Sequence, residues 1–233
     1  MHVNGSITGY YLFVGFFVAV VIFIVISQIQ AKRRTKALIS LAPTIGFMFE
    51  GDDWSDPSCA PRLQMPLFDR GHSQKFRNIM TGHFAGFDTS LFDYWFTTGG
   101  GKSSHTWTQT VVAFTQDLWL PVFELRPEGI LDRAADVFTH KDIDFDSNPT
   151  FSHRFLLRGL EVDKVRELFA PPLLNFLEGL STEEKWHLEG DGYTLILYRS
   201  DIIVDAGECL SLLEQTSAMA KTFFNSCGRA APT

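Results

Sequence analysis

A chain of 233 residues can bury a core without covalent staples, and its formal net charge of −7 disfavours nucleic acid, whose phosphates would repel it. Its cysteines, Cys59, Cys209 and Cys227, are odd in number and widely scattered. That spacing excludes a disulfide framework or a paired CxxC metal knuckle and fits a reducing compartment.

Residues 8–26 form an almost uninterrupted apolar run without a charge, and Lys32, Arg33, Arg34 and Lys36 crowd just behind it. At about 1.5 Å per residue the run just crosses a hydrocarbon core ~30 Å thick. Tyr10 and Tyr11 stand at its start, where amphipathic rings favour the headgroup level. All nearby basic residues lie on the C-terminal side, so the positive-inside bias places residues 1–7 outside and residues 32 onward in the cytoplasm. A cleaved signal peptide would need a basic stretch before the run and a small-residue cleavage site after it. Residues 1–7 hold no Lys or Arg and Ser27-Gln28-Ile29-Gln30 is a poor cleavage site, so residues 8–29 read as an uncleaved anchor. Residues 30–43 then form a basic juxtamembrane segment, a topology signal that is also placed to touch anionic headgroups.

The helix is expected to continue through residues 35–42 until Pro43 stops it, with the domain proper spanning residues 44–225 and a flexible tail over 226–233. Residues 51–66, with Asp52, Asp53, Asp56, Cys59 and several prolines, read as an irregular loop. From Phe76 the pattern turns β: residues 77–83, 89–97, 105–114 and 120–125 are rich in Phe, Trp, Thr, Val and Tyr. The breaks at Ala85-Gly86, Gly99-Gly100-Gly101-Lys102 and Gln116-Asp117 are short, which predicts an antiparallel meander. A helix is expected from Pro127 to Phe138, then strands over 142–145 and 151–157. Helices follow over 161–169 and from Pro171-Pro172, burying Val162, Val165, Leu168, Leu173, Leu174 and Leu177. Gly190-Asp191-Gly192 between residues 186–189 and 193–199 is a hairpin signal. The last helix starts at Asp205 as N-cap with Glu208 three residues on, and runs to about Asn225 with Leu210, Leu213, Thr216, Ala220 and Phe223 or Phe224 inward. Strands and helices are segregated, so the class is α+β: one N-terminal transmembrane helix, then a soluble domain of antiparallel strands and packed helices. A division into two lobes near residue 140 stays open. The 22 phenylalanines are dispersed over these elements, as in a Phe-rich core.

Few residues suggest chemistry. His140, Asp142, Asp144, Asp146 and His153 could hold a hard divalent cation if a strand aligned the three aspartates on one face. An ordinary solvent-facing strand, with Ile143 and Phe145 inward, produces the same pattern, so no metal, cofactor or catalytic residue is assigned. Gly99-Gly100-Gly101-Lys102-Ser103-Ser104 lacks the spacing of a phosphate-binding loop and joins strand to strand, as a flexible hairpin tip does. No GxSxG or HExxH is present. Arg154, Arg158 and Glu161 around the helix entry, and Asp163, Arg166 and Glu167 on its outer face, read as solvated charges that define no site.

The order of a lone N-terminal span, a basic stop, Gly46-Phe47-Met48-Phe49-Glu50-Gly51, Leu91-Phe92-Asp93-Tyr94, the run Leu120 to Glu128, Phe151-Ser152-His153-Arg154-Phe155 and Leu157-Arg158-Gly159 resembles an uncharacterised group of bacterial single-pass membrane proteins. The resemblance covers nearly the whole chain, implies a bacterial inner-membrane setting and brings no activity with it. The expectation is a non-enzymatic, membrane-anchored cytoplasmic domain that binds membrane lipid through its helix and a protein partner near the bilayer. The alternatives are a domain binding a small molecule or lipid headgroup in an aromatic pocket, and a metal-dependent hydrolase built on the His140–His153 region. An exposed apolar patch would favour the first, a closed apolar cavity the second, and converging His140, Asp142 and Asp144 side chains the third.

Overall fold

The computed structural model describes residues 4–52, 65–128, 142–181 and 183–230. Helix α1 (Asn4–Leu41) is continuous from the apolar run into the domain and ends in a 3-10 turn, Ala42–Ile45, where Pro43 can no longer donate to the helix. Its apolar part is bare of protein contacts, and among the described residues it alone is long and apolar enough to cross a membrane. A single-pass membrane protein is the arrangement this supports. The far end of α1 behaves differently, because Leu38 and Ala42 are wholly buried in the main core. Residues expected in a linker ahead of the domain are therefore part of it.

The rest is α+β, as the segregated pattern predicts. Strands β1 (Phe47–Gly51), β2 (His72–Phe84), β3 (Phe87–Thr98) and β4 (His105–Pro127) form an antiparallel meander, and β5 (Phe155–Gly159) and β6 (Trp186–Arg199) both pair antiparallel with β4. Short helices α2 (Pro66–Asp69), α3 (Pro149–Arg154), α4 (Val162–Leu168) and α5 (Pro171–Glu178) precede the long α6 (Cys209–Ala230).

Two expected turns are absent. Gln116-Asp117 does not divide β4, and Gly190-Asp191-Gly192 does not close a hairpin; both strands run on, paired with each other from Val111↔Tyr198 to Leu125↔Leu188. The register slips between Thr115 and Leu120 and again before Phe123, so β4 carries a bulge opposite the glycines of β6. The consequence is a fold in the sheet. Residues 187 and 198 on a flat strand would lie about 35 Å apart, yet the rings of His187 and Tyr198 stack at 4.9 Å. Gly190 permits the corner, since a Cβ there would meet the Phe123 ring at 2.3 Å. Thus β4 and β6 form a bent spine: the first half of β4 pairs outward with β3 and the last part with β5.

Two other expected elements differ. Residues 151–157 split into the end of α3 and the start of β5, and residues 142–145 form no strand, although Ile143 N–H donates to Leu157 C=O at 2.8 Å. The helix expected over residues 127–138 lies outside the described residues beyond position 128, as does most of the loop over 51–66. α4 and α5 occupy the expected places, burying Val165, Leu168, Leu173, Leu174 and Leu177, but Val162, expected inward, is exposed at the first residue of α4, ahead of the turn that packs on the core. α6 starts later than expected: a 3-10 turn, Ala206–Glu208, follows Asp205, whose side chain makes no cap hydrogen bond, and Leu210 is exposed.

The main core gathers Phe87, Phe114, Phe123, Phe169, Phe223 and Phe224 between the sheet and α3–α6. On the other face a second cluster, including Phe92, Tyr94, Phe96 and Tyr198, is closed by α2 through Met65 and Leu67. The described phenylalanines beyond α1 thus serve two cores rather than one groove.

Candidate functional sites at the membrane junction and the sheet corner

Where α1 meets the sheet, Arg34 enters the domain. Its Nε and Nη2 donate to the two oxygens of Asp93 at 2.7 and 2.6 Å, Nη2 also reaches Thr110 Oγ1 at 3.3 Å, and Nη1 donates to the Val204 carbonyl. Asp93 is completely buried on β3 and also accepts from Asn78 Nδ2 and Thr110 Oγ1, both at 2.8 Å. Thr35 donates to Asn78 Oδ1 at 2.7 Å, and Thr110 Oγ1 accepts from Val204 N–H at 3.0 Å. Burial would lower the Arg34 pKa, but the hydrogen bond and charge of Asp93 outweigh it and hold the guanidinium above its ordinary value. A bidentate pair with every carboxylate lone pair engaged is the arrangement in which a buried ion pair is stable. Of the basic juxtamembrane residues, Arg34 therefore serves as a fastener, while Lys32, Arg33 and Lys36 remain exposed.

Beside this fastener an open cleft of about 680 Å³ lies between α1 and the sheet. Ser27, Gln30 and Arg33 line it on the helix, and Trp95, Ile203 and Asp205 on the domain. It is no closed apolar cavity.

A second ionic cluster sits inside the fold of the sheet, under α2. Arg70 binds Glu124 and lies 3.5 Å from Glu189, which accepts from Tyr198 Oη at 2.7 Å and from Leu67 N–H at 2.8 Å. Burial, opposed by Arg70 and reinforced by Glu124, lifts the Glu189 pKa to about 7. Burial, with the positive charges of Arg70 and Arg126, pushes His187 down to about 3. Among the described residues, both His187 nitrogens, the Gln109 amide and the Tyr94 hydroxyl have no hydrogen-bond partner. The cluster can hold or release a proton at Glu189, and no Ser or Cys nucleophile stands among the described residues that form it.

At the outer side of the corner, Trp119, Leu160 and Val162 are exposed. Leu160 N–H donates to Val122 C=O at 3.4 Å, and the Lys164 ammonium lies 4.7 Å above the Trp119 ring. Tyr193, also exposed, stands beside Gly192, which pairs with Leu120. Large apolar and aromatic side chains with Asp117, Glu161 and Lys164 around them have the composition of a protein-contact patch.

The residues considered for a metal do not converge. Asp142 is tied to Arg158 Nε at 2.8 Å, Asp144 offers its carbonyl to Arg166 at 2.9 Å, and Asp146 and His153 are exposed. His140 lies outside the described residues, and among the described residues no group of three potential ligands comes together. The arginines expected on a solvated helix face are instead staples. Arg154 donates to the carbonyls of Glu178 and Leu180, the latter at 2.6 Å, while the Arg158–Asp142 and Arg166–Asp144 contacts and the Glu161–Lys164 pair at 2.6 Å lie at the surface. Sequence reasoning missed Asp93, Glu189 and His187, each an isolated polar residue in a strand whose partners lie far along the chain.

No family model and no curated protein matches the chain. Among solved structures, the crystal structure of the mycobacterial trehalose monomycolate transport factor A, TtfA, is similar at 15% identity, with a TM-score of 0.49 over 85% of this chain and 96% of that one.

Proposed function

We propose that this protein is a non-enzymatic, membrane-anchored domain that binds a partner protein close to the inner face of a bacterial inner membrane, with residues 1–7 outside and the α+β domain in the cytoplasm. The observation carrying the reading is the exposed corner of Trp119, Leu160, Val162 and Tyr193, apolar and aromatic within a charged rim on an otherwise well-filled domain. The acids beside it, Asp117 and Glu161, suit a partner whose contacting segment is apolar with basic flanks.

A photocrosslinking residue placed at Trp119, Leu160 or Tyr193 in the full-length chain in cells should give one discrete adduct. Lys221→photocrosslinker, on the exposed side of α6, should not. Leu160→Asp should abolish the adduct at Trp119 while leaving the melting temperature unchanged. Equal adducts at both surfaces, or none at the corner, would remove the reading. A reporter enzyme active only outside the cytoplasm, fused after Thr233, should be silent; activity there would reverse the orientation.

A further inference from the structure

The way α1 is fastened sets the height of the sheet above the bilayer. Arg34 meets Asp93, Thr35 meets Asn78, and three to seven residues back along α1 the cleft joins Ala31, Gln30 and Ser27 to Trp95. Moving from Asp93 to Thr98 along β3 therefore means moving back along α1 toward the apolar run. From Arg34 to Ser27 is about 10 Å of helix, and from Asp93 to Thr97 about 14 Å of strand. The loop between β3 and β4, with its short 3-10 turn Gly101–Ser103, consequently reaches the level at which α1 enters the hydrocarbon. His72, whose ring bonds the Gly99 carbonyl at 3.1 Å, lies beside it.

The charges at this end differ from those of the whole chain. The chain carries 27 acids against 20 Lys and Arg, yet here Lys75, Arg77 and Lys102 on the sheet join Lys32, Arg33 and Lys36 on α1, all exposed. Among the described residues the acids near this end are Asp69, Asp201, Asp205 and Asp52; Asp52 already accepts from Asn78 N–H at 3.2 Å, and Asp201 accepts from Thr108 and faces His105 at 3.9 Å. Lys75 stands opposite Trp95 in the sheet register, and Arg77 lies 5.8 Å from the Trp95 ring. Trp107 is half-buried next to His105. Lysine, arginine and tryptophan together at this depth are the residues that anionic headgroups recognise.

We propose that the β3–β4 end of the sheet is a second membrane contact: Lys75, Arg77 and Lys102 seat it on anionic lipid headgroups while α1 crosses the bilayer beside it. The domain is then held at two separated points, by the helix and by the hairpin tip. The inference rests on α1 spanning the membrane, as the proposed function does, but not on the protein partner or the corner patch.

The test uses the full-length chain in lipid nanodiscs of phosphatidylcholine alone or with phosphatidylglycerol, read by amide hydrogen exchange. With phosphatidylglycerol the amides of residues 72–75 and 99–107 should exchange roughly tenfold more slowly, equivalent to about 1.4 kcal/mol, while residues 84–88 at the opposite turn stay unchanged. Lys75→Glu with Lys102→Glu should remove that slowing. Lys102→Glu alone, in an exposed loop whose charge supports no fold contact, should remove much of it. Equal exchange in the two lipids, or slowing that survives the double charge reversal, would overturn the contact. Failure of the chain to enter the discs would instead overturn the anchor, a different result with a different readout.

Discussion

Arg34 and Arg70 both carry a guanidinium into the protein to meet carboxylates, on opposite faces of the same sheet, and the two sites have different characters. Around Asp93 every polar atom is matched: a bidentate arginine, an asparagine amide and a threonine hydroxyl use all its lone pairs. Around Glu189 the matching is incomplete, because His187, Gln109 and Tyr94 are buried nearby without partners among the described residues. A matched network adds rigidity, whereas a mismatched one in low dielectric makes protonation the adjustable variable. The first site is thus built to fix α1, and the second leaves the interior of the fold sensitive to pH.

Breaking the fastener should give the largest effect. Asp93→Ala strands the Arg34 guanidinium in the domain and should cost ~3–5 kcal/mol, lowering the melting temperature by roughly 10 °C. Thr110→Val, which removes one donor to Asp93 and the acceptor for Val204, should cost ~1–3 kcal/mol in the same melt. Gly190→Ala should fall in a similar range of ~1–3 kcal/mol, because the new Cβ collides with the Phe123 ring at the corner of the sheet. A melt indistinguishable from wild type for Gly190→Ala would mean that the corner is softer than its contacts indicate.

The pH dependence sharpens the comparison. Glu189, raised from 4.5 to about 7, contributes stability that is fully present below pH 4.5 and lost as pH rises through about 7. His187, lowered from 6.5 to about 3, contributes stability that is present above pH 6.5 and lost as pH falls through about 3. Between pH 4.5 and 6.5 the two oppose each other, so the wild-type denaturant midpoint should change little over that window. His187→Phe should leave the Glu189 contribution alone, giving a protein that becomes more stable as pH falls from 7 to 5. Glu189→Gln should show the reverse slope, and parallel profiles for the two variants would rule out these assignments. The smallest effect belongs to the surface: Glu161→Ala, removing an exposed pair with Lys164, should change stability by only ~0.2–0.5 kcal/mol.

The span, the meander of β2, β3 and the first half of β4, and helices α4 to α6 are written in local periodicity and could be read directly. The corner could not. Gly190-Asp191-Gly192 and Gln116-Asp117 have turn composition, but they lie on two paired strands some 75 residues apart, the glycines opposite Leu120 and Phe123 and Gln116-Asp117 in the bulge beside them, and local composition does not distinguish a bend shared by two strands from two separate turns. The same distance hid the fastener. Arg34 looked like one member of a basic stop, and Asp93 like a polar position on a strand, until the fold placed them 2.6 Å apart. The exposure of the corner was hidden because Trp119 and Tyr193 stand in strands and Val162 at helical spacing with Val165, positions where an apolar residue ordinarily points inward.

Because α1 passes from its apolar run to Leu41 as one helix without a break, the domain has a fixed rotational phase about the helix axis. Each residue of an α-helix advances that phase by about 100° and the height by about 1.5 Å. Inserting a single alanine near Gln28 would therefore lift the domain hardly at all, yet turn it by more than a quarter of a circle relative to everything held by the upper part of the helix. Which side of the domain is turned toward the proposed headgroup contact, and which toward a proposed partner, is in this sense set by the number of residues between the apolar run and Arg34.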